Sequence, residues 1–175
     1  MISRQLFLDT ESNMFACDSC VEPLNSRWTT GRSCRLGRVF RDPIWNTIQA
    51  EGLAEVEREP ALRSRIERVV LQRATLEQGL AMLLSLRLGD TLTSSDDLLA
   101  PFEEILSQVP AIGRSARRDL EAIRHSDPAT ESWLDPFLNF KGFLAVQSHR
   151  LAREFWSRDR RGLASHIQGR ASESF

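Results

Sequence analysis

A chain of 175 residues with 41% hydrophobic and 27% charged residues is long enough for one domain with a real core, since about 150 residues bury roughly 70% of the surface their unfolded chain exposes. Its 23 basic and 24 acidic side chains leave a formal charge of -1, which excludes a global field that would recruit nucleic acid or an anionic membrane. No apolar run approaches the roughly 18 residues a membrane span needs, so the expectation is a soluble, cytoplasmic protein that recognises its partners locally.

Residues 1–40 scatter Ser, Thr, Asn, Gly and Arg among apolar residues with no sustained strand or helix period, the pattern of a disordered tail. Met1 to Leu8 carries only Arg4 as a cation and no apolar stretch of adequate length, so no signal peptide is expected. Cys17, Cys20 and Cys34 all fall in this tail. A structural zinc site wants four Cys or His ligands, and the segment has no histidine; reduced, unstructured thiols and no metal are expected.

The organisation changes at Asp42-Pro43, where Asp42 suits an N-cap and Pro43 the first helical position. Ile44, Trp45, Ile48, Leu53 and Val56 give a helical stripe with Gly52 as a weak point. A second helix follows Glu59-Pro60, with Leu62, Ile66, Val69 and Val70 inward. Thr75 and Gln78 have capping-box spacing before a third helix whose Leu76, Leu80, Leu83 and Leu84 form one face, ending near Gly89.

Ser94 to Asp97 offer caps for a fourth helix carrying Leu98, Phe102, Ile105, Leu106 and Val109. Pro101 is tolerable there only in the first turn. A fifth helix starts at Pro110, turns Ile112, Ala116, Leu120 and Ile123 inward, and stops at RHSDPA, because the residue before a proline is pushed out of the helical region. Asp127 therefore sits in a loop. Asp135-Pro136 repeats the cap-and-start device for a long sixth helix through Phe137, Phe140, Leu144, Gln147, Leu151 and Phe155, and a short seventh carries Leu163 and Ile167. The predicted fold is all-α, a bundle of about six to seven helices over residues 41–175.

Local chemistry names no active site. His125, His149 and His166 stand in no triad spacing and read as solvated or core-satisfied imidazoles, and no phosphate loop or metal motif is present. Arg158, Arg160 and Arg161 read as a solvated helix end.

The segments DPIWNTIQAE, EPALRSRIERVVLQRATLEQGLAMLLSLRL, DLEAIRHSDPA, FLNFKGFLAVQSHRLAREFW and SHIQGRASESF together resemble the N-terminal helical domain of serine acetyltransferases, over about residues 42–175 and in the same order. The most specific parts are RHSDPA and the FKGF-A-Q-HR run. The resemblance implies transfer of an acetyl group from acetyl-CoA to L-serine, giving O-acetylserine for cysteine synthesis. In that family the helical domain leads into a left-handed β-helix, where a histidine held by an aspartate is general base and acetyl-CoA, a co-substrate, binds between subunits. The helical domain assembles the oligomer, commonly a dimer of trimers, and supplies one acidic residue to the serine pocket. That residue matches Asp127, which would face the α-ammonium of serine and of cysteine, the feedback inhibitor; the bland alternative is a turn cap before Pro128.

Leu144, Arg153 and Arg73 stand where family members commonly carry histidines, which puts any polar network between these helices in doubt. The family pattern continues after SESF with V-D-I-H-P-A-A and the hexapeptide repeats. The catalytic residues, the acetyl-CoA site and the tail that docks into O-acetylserine sulfhydrylase are therefore expected to be absent from these 175 residues. Two readings follow: a shortened serine acetyltransferase unable to turn over alone, or a non-catalytic oligomerisation or regulatory module that pairs with a complete enzyme.

Overall fold

The computed structural model describes residues 42–127 and 130–175; the predicted tail and its three cysteines lie outside them. All regular structure among the described residues is helical, as expected. Helix α1 (Pro43–Arg58) begins as the sequence dictates, with the Asp42 carboxylate accepting the Trp45 N–H at 3.2 Å and Pro43 in the first turn. It buries Ile44, Trp45, Ile48 and Val56, but Leu53 is 57% exposed, and its predicted place is taken by Gly52. A Cβ on Gly52 would stand 3.1 Å from Ile66 Cγ2, so this glycine is a point of close approach between helices and not a weak point.

The predicted second helix is a patchwork. A tight turn at Pro60–Leu62 leads into α2 (Arg63–Ile66), which widens into a π-type turn over Glu67–Leu71. Ile66, Val69 and Val70 face inward, the i, i+3, i+4 spacing of a helical stripe, which survives the local widening. Carbonyls at its end are taken up by α1: Gln49 Nε2 donates to Arg73 O at 2.9 Å and Trp45 Nε1 to the same oxygen at 3.3 Å.

Helix α3 (Leu76–Leu88) is the axis of the bundle. Beyond Leu76, Leu80, Leu83, Leu84 and Leu88 it buries Gly79, Ala81, Met82 and Ser85, and a helix buried over most of its circumference belongs in the interior. Thr75 caps it by accepting the Gln78 N–H at 3.3 Å, while the Gln78 side chain accepts from Ala74 N, one residue earlier than a strict capping box requires. The Trp45 ring lies against Gly79, where an added Cβ would meet Cη2 at 2.3 Å.

Helix α4 (Ser95–Gln108) starts with a full capping box between Ser94 and Asp97. The Ser94 hydroxyl and N–H hold the Asp97 carboxyl below its ordinary value. Contrary to the first-turn expectation, Pro101 lies inside the helix. The cap and the burial of Leu98, Phe102, Ile105 and Leu106 offset the roughly 3 kcal/mol such a proline costs. Val109, predicted on this stripe, is instead the extended link to α5 (Pro110–Ser126).

Arg117 on α5 ties three elements together. Its guanidinium donates to Asp42 Oδ2 at 2.7 Å, at the start of α1, and to Glu77 Oε1 at 2.6 Å, at the start of α3. Burial works against that charge, but the hydrogen bonds and charges of Glu77 and Asp42 outweigh it and raise the Arg117 pKa above its ordinary value.

The predicted long sixth helix is two helices, α6 (Leu134–Asn139) and α7 (Lys141–Ser157), parted by extended backbone at Phe140 (ψ 107°). The break is accommodated from outside the segment. Arg65 Nη2 donates to Leu138 O at 2.9 Å and Arg87 Nη2 at 3.4 Å, so that carbonyl is satisfied by guanidinium groups instead of an N–H further along the chain. Helix α8 (Arg161–Ser174) is longer than the short piece predicted, and follows a turn in which Asp159 takes the left-handed conformation (φ 58°). Arg170 Nε donates to Leu88 O at 3.2 Å and Ser174 Oγ to Arg87 O at 3.1 Å, fastening α8 to the end of α3.

Two glycine substitutions separate packing from propensity. Gly79→Ala should lower stability by about 1–3 kcal/mol in urea unfolding, because the rigid Trp45 ring cannot yield to the new methyl. Gly169→Ala, on an open face of α8 with nothing within 4 Å, should raise stability by about 0.5–1 kcal/mol.

Candidate functional site

Asp127 terminates α5 as its C-cap, in extended conformation (φ -107°, ψ 101°), the loop placement that the following proline dictates. Its N–H donates to Ile123 O at 2.9 Å and its carbonyl accepts the Thr130 N–H at 3.1 Å. Thr130 is buried.

From α5, Arg124 Nη1 donates to Thr130 O at 2.5 Å, and its guanidinium lies 5.6 Å from the centre of the Trp133 ring. From α1, Glu51 Oε2 accepts the N–H of Trp133 at 2.8 Å and of Leu134 at 2.7 Å. Ser132 Oγ accepts the Asp135 N–H at 3.0 Å, so Asp135 is not the cap that the sequence pattern assigned to it.

The charges at the ends of α6 follow its dipole. A carboxylate, Glu51, sits at the N-terminal N–H groups, and Arg65 and Arg87 sit on the last carbonyls. Arg65 also donates to Asn139 Oδ1 at 3.0 Å. Burial, and then the neighbouring Arg87, pull the Arg65 guanidinium below the ordinary arginine value, the expected response of two cations sharing one helix end.

Between α5 and α7 lies a polar network. The Gln147 amide, fully buried, donates to Asp119 Oδ2 at 2.8 Å; Arg150 donates to the same carboxylate and to Gln147 Oε1 at 2.8 Å. The doubt raised by Leu144 and Arg153 is thereby resolved. Leu144 is core and Arg153 exposed, and the interhelical polar contacts use Gln147 and Arg150, both within the FKGF-A-Q-HR run. Arg73, the third departure, turns its Nε onto Arg68 O at 3.0 Å.

His125 and His149 are exposed. His166 departs from the core-satisfied reading, because its Nε2 is buried without a hydrogen-bond partner among the described residues. No group of three or more His, Cys, Asp or Glu among the described residues could hold a metal ion. One cleft of about 570 Å³ runs beside Glu77, Glu103 and Glu104, and another of about 270 Å³ beside Arg65 and Asp135; Asp127 lines neither.

What this arrangement offers chemically is a carboxylate at the end of α5, at the start of a loop whose far end, at Trp133 and Leu134, is tied to α1. Such a group can accept hydrogen bonds from an ammonium ion. Sequence reasoning singled out Asp127 but not Glu51, Arg124, Arg65 or Arg87. Glu51 lies inside WNTIQAE, one of the resembling segments, but its partners are 82 and 83 residues away, a separation that no periodicity reveals.

Comparison with known proteins bears on the whole arrangement. Residues 44–148 match the family model described as serine acetyltransferase, N-terminal. The chain is similar to the mitochondrial serine acetyltransferase 3 of Arabidopsis thaliana, 38% identical over 134 residues, which is 77% of this chain and 34% of the relative. Among solved structures it resembles soybean serine acetyltransferase complexed with serine (TM-score 0.72, 36% identity, 75% of this chain and 54% of the other). It also resembles a serine acetyltransferase in complex with cysteine (TM-score 0.73, 34% identity, 76% and 52%). The chain spans between 34% and 49% of the length of such curated relatives.

The network between α5 and α7 yields a direct test. Asp119→Ala removes the acceptor shared by a buried amide and a guanidinium, and should cost about 1–3 kcal/mol in urea unfolding. A loss under about 0.5 kcal/mol would mark the contacts as dispensable.

Proposed function

Since this chain belongs to the serine acetyltransferase family and matches its N-terminal helical domain, we propose that it serves the acetylation of L-serine by acetyl-CoA in cysteine biosynthesis. Its part is to assemble subunits and to supply one carboxylate to the serine pocket. The observation that supports this most is Asp127, in the RHSDPA motif, standing at the end of α5 before a loop that Arg124 holds at Thr130 and Glu51 at Trp133.

In this reading the Asp127 carboxylate takes the α-ammonium of L-serine in a charge-assisted hydrogen bond. L-cysteine, with a thiol in place of the hydroxyl, presents the same ammonium and competes for the same contact. Nothing in the reading asks Asp127 to move a proton. A serine hydroxyl becomes a nucleophile only beside a positioned general base, and that role, like the binding of acetyl-CoA as co-substrate, is assigned to no residue of 42–175.

Assembly with further copies of the chain follows from the family resemblance, and we assign it to the outer helical faces, on which Leu53 and Trp156 are 57% and 52% exposed. We place the protein in the cytoplasm; among the described residues no helix is long and apolar enough to cross a membrane.

Three measurements test this. The 175-residue chain should show no serine-dependent release of CoA thiol from acetyl-CoA, and sustained turnover would contradict the division of labour. In an NMR titration, L-serine should perturb the amides around residue 127, and Asp127→Asn should weaken the apparent affinity about 10-fold or more, the scale of one lost charge-assisted bond; an unchanged affinity would overturn the assignment. Light scattering should give a mass above that of the monomer, and a monomer at high concentration would contradict assembly through these faces.

A further inference from the structure

Helix α6 has six residues, well below the roughly 12–15 at which isolated helices become even marginally stable in water. What holds it comes from outside: burial of Leu134, Pro136, Phe137 and Leu138 in the core, and polar contacts at its two ends. At the C-terminal end Arg65 and Arg87 take the Leu138 carbonyl, and at the N-terminal end Glu51 takes the N–H groups of Trp133 and Leu134.

The N-terminal contact matters for the loop that begins at Asp127. Arg124 grips that loop at Thr130 O, but Arg124 and Asp127 both belong to the end of α5, so this bond fixes the loop only to the element that already carries it. Glu51 belongs to α1, one turn beyond Ile48 and two beyond Trp45, which are 0% and 1% exposed. Its two short bonds therefore tie the far end of the loop to a helix rooted in the core, and a carboxylate accepting two backbone N–H groups is among the stronger ties available to a protein.

We propose that Glu51 is the positioning residue for Asp127: by fixing residues 133–134 to α1 it sets where Thr130, and Asp127 whose carbonyl Thr130 bonds, stand, and with them the carboxylate offered to an amino-acid ammonium. The inference rests on Asp127 being the ammonium contact. Glu51 itself touches no ligand.

The test uses the whole 175-residue chain, isotope-labelled, as wild type, Glu51→Ala, Glu51→Gln and Asp127→Asn. Hydrogen exchange of the Thr130 N–H, which bonds to Asp127 O, reports that contact without any ligand. In Glu51→Ala it should quicken at least tenfold relative to the core amides of α3, and the apparent affinity for L-serine should fall at least tenfold. Glu51→Gln, which keeps an acceptor oxygen, should restore both to within about threefold.

If Thr130 exchange stays at its wild-type rate, or rises only in step with the α3 amides, Glu51 is a helix cap and no more, and the inference fails. The same holds if Glu51→Ala binds L-serine as the wild type does. If Asp127→Asn binds L-serine normally while Thr130 still responds to Glu51, the ammonium assignment has failed and the structural link has survived.

Discussion

A helix of six residues, four of them buried, follows the loop from Asp127, and charge from other elements holds both of its ends. Glu51 supplies the negative charge at its N-terminus and Arg65 and Arg87 the positive charge at its C-terminus, the signs that a helix dipole favours. The consequences run in both directions along the chain. Upstream, the loop from Asp127 acquires a fixed far end. Downstream, the Leu138 carbonyl is occupied by guanidinium groups, the backbone turns extended at Phe140, and α7 starts on a new axis.

That arrangement needs a rigid frame, which the rest of the bundle supplies. The core runs around α3, and its aromatic members touch: the Trp45 and Phe137 rings meet edge-on at 5.5 Å, and Phe102 lies 6.0 Å from Phe155. Trp45 and Phe137 thus pack α1 directly against α6, the pair of helices that Glu51 joins. Arg117 adds a second tie, bridging the starts of α1 and α3 from α5. A mostly local bundle of this kind gains its precision from a few long-range polar contacts laid over an apolar core.

Much of this was legible in the sequence where the cause is local. Asp42-Pro43, Ser94 with Asp97, Pro110 and the stop at Asp127 are all set by groups within four residues of one another, and the structure places them as read. The failures share a different origin. Phe137, Phe140 and Leu144 keep helical spacing across a break whose open carbonyl is taken up by arginines from α2 and α3, and Leu53 yields its place to Gly52 because another helix approaches there. Pro101 sits deeper in α4 than its own cost would suggest, since packing outweighs it. Asp127 was found through the RHSDPA motif and its loop position through the proline; the groups that hold its loop were hidden because they come from α1 and from a side chain within α5.

The family assignment is what singles out Asp127, and the proposal built on it is that this carboxylate, at the end of α5, receives an ammonium. The most direct test follows the carbon-13 resonance of that carboxylate while L-serine and then N-acetyl-L-serine are added. The two ligands share the hydroxyl and the carboxylate, and only the first carries an ammonium. The account predicts a saturable shift of the Asp127 carboxylate with L-serine and none with N-acetyl-L-serine; equal shifts with both, or a response confined to other carboxylates, would contradict it.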